Sequence, residues 1–201
     1  MNRNFSNRQR ATWAGILILA AYSMLTYTVT KNIPLGLVTD IISGLAVIGI
    51  PILLYPYFNA KGNRTLNYAY LISRFFEGIL MVIGGLIIVN PSLEPYRDII
   101  YFDIHIYFFI SGAMFLYILL YRTRIIPRFI SVWGLLATVV LLIITIIRLF
   151  EVKSPILDAL LMPMILNELF MAFWLIIKGF NYIQPSILGI ESSVPTNLRS
   201  R

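Results

Sequence analysis

Six apolar runs, each close to the thickness of a membrane, leave this chain few ways to fold. They are Trp13–Val29, Leu37–Tyr57, Leu66–Val89, Ile99–Tyr121, Phe129–Phe150 and Ile156–Ile177. A helix needs ~20 apolar residues to cross a ~30 Å hydrocarbon layer. The links between the runs are short and polar. Charged residues make up only 12% of the 201 residues against 59% hydrophobic. A soluble domain carries ~25% charge, so lipid must be the solvent for most of this surface. The pattern predicts an all-α fold: a polytopic integral membrane protein, a bundle of six transmembrane helices.

Bases set the orientation. Arg3, Arg8, Arg10, Lys61, Arg64, Arg122, Arg124, Arg128, Lys178, Arg199 and Arg201 fall on one side; Lys31, Arg97 and Lys153 fall on the other. Cytoplasmic loops hold the excess of Lys and Arg, so both termini are expected inside. This also accounts for the net charge of +7 without nucleic acid as a partner. The first run reads as an uncleaved span, because it is long and no A-x-A site follows it. Residues 1–10 then form a cytoplasmic arm, 11–180 one transmembrane domain, and 181–201 a cytoplasmic tail read as disordered. Trp13, Tyr55, Tyr57, Tyr68, Tyr121, Trp133 and Tyr182 suit an inner aromatic belt, and Tyr27, Tyr96 and Tyr101 an outer one.

Prolines punctuate the spans. Pro51 is expected to break the second and Pro163 the sixth, since proline lacks the helical N–H and clashes with the preceding turn. Asn90-Pro91 ends the third, and Glu94, Arg97 and Asp98 are read as a loop. Lys178-Gly179 closes the sixth with a base and a helix cap.

Ionisable groups inside a span cost ~3 kcal/mol on insertion scales and usually face the bundle interior. Arg74 and Glu77 share a face of the third span at i,i+3 spacing. Gly78, Met81, Gly84 and Gly85 continue that face, where small residues let a neighbour approach. Asn167 and Glu168 lie in the sixth span. Glu168 is roughly 15 Å from Lys178 and Glu77 roughly 16 Å from Leu66, which puts both near the midplane. The expected cluster is Arg74, Glu77, Asn167 and Glu168, at the depth where transporter sites lie. The competing reading is a polar network that only fixes helix register. A second, outer candidate places Asp98, Tyr101 and His105 on one face of the fourth span. Arg148, Asp103, Glu151 and Asp158 stand at similar height, as a vestibule for a cation or polar head group or as a solvated rim.

Other chemistry lacks its residues. There is no cysteine and one histidine, His105, so thiolate catalysis and histidine-rich metal sites are excluded. No phosphate loop, G-x-S-x-G or zinc signature occurs. No cofactor or metal is expected, and the reading leans away from an enzyme.

Three stretches together resemble a known family. They are Tyr68–Gly85 with its Arg74-x-x-Glu77 pair, RTRIIPRFISVWG at Arg122–Gly134, and LNELFMAFWLIIKGF at Leu166–Phe180. The chain is similar to multi-span membrane proteins grouped as domain of unknown function 4386. The resemblance implies signature positions at Arg74, Glu77, Asn167, Glu168, Trp174 and Lys178, and a prokaryotic inner membrane. It implies no activity.

The expectation is a protein that binds or transports a small or lipid-like ligand at Arg74, Glu77, Asn167, Glu168 and Trp174, in contact with membrane lipid. The alternatives are a structural or assembly subunit, and then an intramembrane enzyme using Glu168 or His105. A homodimer through the Gly-rich third span would answer the lack of an internal repeat.

Overall fold

A computed structural model describes residues 6–59, 62–152 and 154–181. The segment read from sequence as a cytoplasmic tail lies outside the described residues from Tyr182 onward. Six helices are long and apolar enough to cross a membrane, and no strand occurs among the described residues. The chain is a multi-pass membrane protein of the all-helical class.

The first span covers α1 (Asn7–Ala21), a 3-10 turn at Tyr22–Met24, and α2 (Leu25–Thr30). It starts at Asn7, inside the segment read as an arm, because Ser6 and Gln9 form a reciprocal capping box. The second is α3 (Ile33–Phe58), which Asn32 caps by accepting the Leu35 N–H at 3.0 Å. The third is α4 (Arg64–Ile87). The fourth strings together α5 (Glu94–Asp98), a π-helical stretch at Ile99–His105, and α6 (Ile106–Thr123). The fifth is α7 (Arg128–Arg148). The sixth is α8 (Pro155–Ala159) followed by α9 (Met162–Ile177).

Two boundary expectations need correction. Pro51 does not break the second span; α3 runs through both Pro51 and Pro56. Packed neighbouring helices make such a proline tolerable in a membrane helix. Glu94, Arg97 and Asp98 are helical, with Pro95 in the first turn where its missing N–H costs nothing. Pro163 does mark an interruption, because it stands in the first turn of α9, just after the break from α8. Gly179 follows α9 at φ 78°, a left-handed conformation that glycine adopts without a Cβ clash.

The helices close into a ring. α1 packs on α3, α3 on α4, α4 on α6, α6 on α7, α7 on α9, and α9 returns to α1. Arg8 fastens the closure by donating to the Ile176 and Ile177 carbonyls at 2.8 Å each, which satisfies orphan acceptors at the end of α9. The end that holds Asn7 and Ile177 is the terminal end; the opposite one is the distal end.

Between α3 and α4 the backbones nearly touch. A Cβ on Gly44 would stand 2.5 Å from the Gly78 carbonyl oxygen, and one on Gly78 equally close to that of Gly44. Further along α4, Gly84 lies against the Tyr101 ring and Gly85 against Asp40. The glycine face of the third span is therefore filled within the chain, and a homodimer would have to use another surface.

Packing differs along the ring axis. Large, fully buried side chains crowd the terminal half: Tyr57, Phe58, Tyr70, Tyr117, Ile126 and Ile130. In the distal half, among the described residues, α2 packs on α3, and α8 touches its neighbours more sparsely than α9 does, through contacts such as Arg148–Asp158. The ring is closed at one end and splayed at the other.

Candidate functional site

A cavity of about 680 Å³ occupies the splayed half. Its rim carries Asp103, Arg148, Glu151 and Asp158, and its deeper wall carries Arg74, Glu77, His105 and Glu168. The three departures from regular α-helix all contribute to the lining. Tyr22 and Met24 come from the 3-10 turn, Tyr101 and His105 from the π stretch, and Leu161 from the break between α8 and α9. Such irregularities re-aim side chains, and π segments occur often at functional sites.

Arg74 and Glu77 form a buried pair, with Arg74 Nη1 donating to both Glu77 carboxylate oxygens at 2.9 Å. The side chains are only 5% and 1% exposed. Gly112 on α6 makes room for this arrangement, since a Cβ there would meet Arg74 Nε at 3.0 Å. The guanidinium lies over the Tyr70 and Phe109 rings, at 5.7 and 5.4 Å from their centroids, a cation–π arrangement.

Glu168 faces the same cavity but makes no ion pair. Its Oε2 accepts from the Tyr22 hydroxyl at 2.8 Å. Among the described residues no cationic nitrogen lies within 4.0 Å of it. The Tyr22–Glu168 bond joins the first and sixth spans where their packed lower parts give way to the splayed upper parts.

Asn167 and Trp174 are placed elsewhere. Asn167 donates to the Ile130 carbonyl at 3.0 Å, tying α9 to α7. Glu168 lines the cavity, whereas Asn167, the next residue round the helix, turns toward α7. Trp174 packs with Phe129 and Phe170 at centroid distances of 6.3 Å each. The expected four-residue cluster thus reduces to Arg74, Glu77 and Glu168.

His105 joins them. Its Nε2 is 3.8 Å from Glu77 Oε1, too long for a hydrogen bond. The sequence pattern places it at the outer vestibule; the fourth span begins earlier, at Glu94, and carries it deeper. Asp98 does not share its face. The exposed Asp98 points outward, whereas Arg97, Tyr101, His105 and Phe109 line one inward stripe at four-residue spacing. The wider π turn keeps that spacing aligned. Of the vestibule residues, Arg148 and Asp158 pair at 2.5 Å across the mouth, and Asp103 and Glu151 stand exposed beside them.

A second buried pair was missed. Arg97 Nη2 donates to Asp40 Oδ2 at 3.0 Å, with Asp40 fully buried. Tyr27 and Tyr101, expected in an outer aromatic belt, are instead buried around Arg97, whose guanidinium lies 5.0 and 4.3 Å from their ring centroids. The available signal was Asp40 itself, an acid within an apolar run that requires a partner, with Arg97 the base at matching depth. Tyr57, assigned to the inner belt, is also buried, donating to Asn7 Oδ1 at 2.7 Å.

Several buried polar atoms on or beside the cavity have no protein partner: the Tyr70 and Tyr117 hydroxyls, Arg74 Nε and His105 Nε2. Such atoms are costly to leave unmatched, so each calls for water or a bound group. Among the described residues no group of three His, Cys, Asp or Glu side chains could hold a metal ion.

No curated protein and no solved structure matches the chain. Residues 96–179 match a family model; they take in His105, Gly112, Glu168 and Trp174 and leave Arg74 and Glu77 outside. That family is described as "Domain of unknown function (DUF4386)", and the likeness to it covers those residues.

Proposed function

We propose that this protein binds, and in the fuller reading transports, a small or lipid-like ligand in the cavity among its spans. The ligand reaches the cavity through the splayed distal half. The observation that carries the reading is the cavity itself, apolar for most of its wall, with Arg74, Glu77, His105 and Glu168 converging at its deep end. Pockets that bind small molecules have this make-up: mostly apolar walls with a few placed polar groups. An inert bundle gains nothing from keeping such a void, because unfilled volume forfeits dispersion contacts. The sparse packing of α8 supports entry from the adjacent lipid leaflet. The basic terminal end supports a cytoplasmic placement of both termini, and the family resemblance supports a prokaryotic inner membrane.

One observation favours a structural role for part of the polar inventory. Arg97–Asp40 and Arg74–Glu77 each match a cation with a carboxylate inside the bundle, and such pairs can fix helix register. Glu168 is outside that account, because among the described residues no cationic nitrogen lies within 4.0 Å of it.

Native mass spectrometry of the gently extracted protein, comparing wild type with Glu168→Gln, tests the proposal. A defined small mass on the wild type that is absent from the variant is the expected result. Identical spectra carrying only heterogeneous lipid would overturn it.

A further inference from the structure

The charges around the cavity are unevenly matched, and the imbalance bears on what it holds. Three arginines contribute to the lining, and each is committed to a carboxylate: Arg74 to Glu77, Arg97 to Asp40 and Arg148 to Asp158. Three lining carboxylates are left over, namely Asp103 and Glu151 at the mouth and Glu168 at the deep end. None has a cationic nitrogen within 4.0 Å among the described residues. The chain as a whole is strongly basic, at +7. Among the described residues the cavity lining therefore carries an excess of acid, opposite in sign to the whole chain.

Glu168 is the most demanding of the three. It is 9% exposed, it receives a single hydrogen bond, and it borders an apolar volume. A carboxylate buried without a counter-charge is expensive. The Tyr22 ring reaches Glu168 directly, and the cavity wall also carries Tyr107; neither ring lies under an arginine among the described residues, whereas Tyr70 and Phe109 already face Arg74 and Tyr101 faces Arg97. Aromatic faces attract cations, most strongly where water is excluded. The unpartnered hydroxyl of the fully buried Tyr70 is a second polar atom that the protein leaves unmatched. The remaining lining, including Ile18, Leu25, Val47, Ile50, Met81 and Leu116, suits a hydrocarbon or aryl body.

We infer that the ligand is an amphipathic organic cation, its positive centre held between Glu168 and the aromatic wall and its apolar body in the remaining volume. Asp103 and Glu151 draw the cation to the mouth, where focused negative potential raises its local concentration. Glu168 then supplies the counter-charge at depth. This inference rests on the ligand-binding reading above and names the ligand class for that same cavity.

An isosteric pair of probes separates charge from size and greasiness. Radiolabelled tetraphenylphosphonium and, separately, tetraphenylborate are equilibrated by dialysis with the full-length protein in neutral detergent. Protein-free micelles provide the background. Saturable binding of tetraphenylphosphonium near one per chain, weakened at least tenfold by Glu168→Gln, is the expected result. Saturable binding of tetraphenylborate instead, or phosphonium binding indifferent to Glu168→Gln, would overturn the cation assignment while leaving a ligand-binding cavity in place. Binding of neither probe also overturns it. The broader reading then stands or falls on whether native mass spectrometry finds a defined mass. The wild-type comparison of the two probes decides the sign of the site even if the variant folds poorly.

Discussion

The two halves of this bundle solve the same problem in opposite ways. In the terminal half the ring is shut, with Tyr57, Phe58, Tyr70 and Tyr117 filling it and Arg8 stitching α1 to α9. In the distal half the helices are irregular, polar groups turn inward, and about 680 Å³ stays open. Lipid is as apolar as leucine, so helices in a membrane associate through packing and polar contacts rather than hydrophobic collapse. A half that is tightly packed can hold the ring together while the other half remains hollow. The difference teaches that stability and binding are separable here: the closed half is a base, and the open half is a cup.

The comparison breaks first if the buried pair is not what holds α4 to the interior. Arg74→Met leaves Glu77 as an uncompensated buried charge and is expected to cost ~3–5 kcal/mol. Adding Glu77→Leu should recover most of that loss, read by thermal unfolding in detergent. A double variant as unstable as the single one would mean that Arg74 acts mainly through its packing against Gly112 and the aromatic rings.

Truncation should separate the halves. Tyr117→Ala in the packed half removes a fully buried ring that stands against Gly134, with an expected loss of ~3–5 kcal/mol. Ile165→Ala, on the cavity wall and only half-buried, should cost under about 1.5 kcal/mol, because its side chain already borders open volume. Equal losses at the two sites would show that the distal half is as tightly packed in solution as the terminal one.

Filling the cup should be cheap for the fold and costly for the ligand. Leu141→Trp projects into the cavity and is expected to shift stability by no more than ~1–3 kcal/mol in either direction. The defined bound mass should disappear from the native spectrum. Retention of that mass would place the ligand elsewhere. The smallest effect belongs to the mouth. Arg148→Gln breaks an exposed pair with Asp158, worth ~0.2–1 kcal/mol, and the loss should shrink further as salt is raised.

Much of this was legible from spacing alone. Arg74 and Glu77 read as a pair because i,i+3 positions are neighbours on a helix, and Glu168 read as deep because helical rise converts residue count into depth. Asn167 lies off the cavity lining, because consecutive helical residues point in directions roughly 100° apart and its neighbour Glu168 takes the inward one. Arg97 was counted as a topology marker because nothing local says that α5 continues the fourth span. His105 was set too shallow for the same reason.

By itself the sequence determined the solvent, the number of spans and that Arg74, Glu77 and Glu168 lie within them, since these follow from hydropathy and from the fixed rise of a helix. Tertiary structure alone decided which buried charges meet, which polar atoms are left unmatched, and that one end of the ring stays open. Those outcomes depend on helix neighbours and on irregular turns. A 3-10 turn at Tyr22–Met24, a π stretch at Ile99–His105 and a break after Ala159 rotate side chains by amounts that no fixed periodicity encodes.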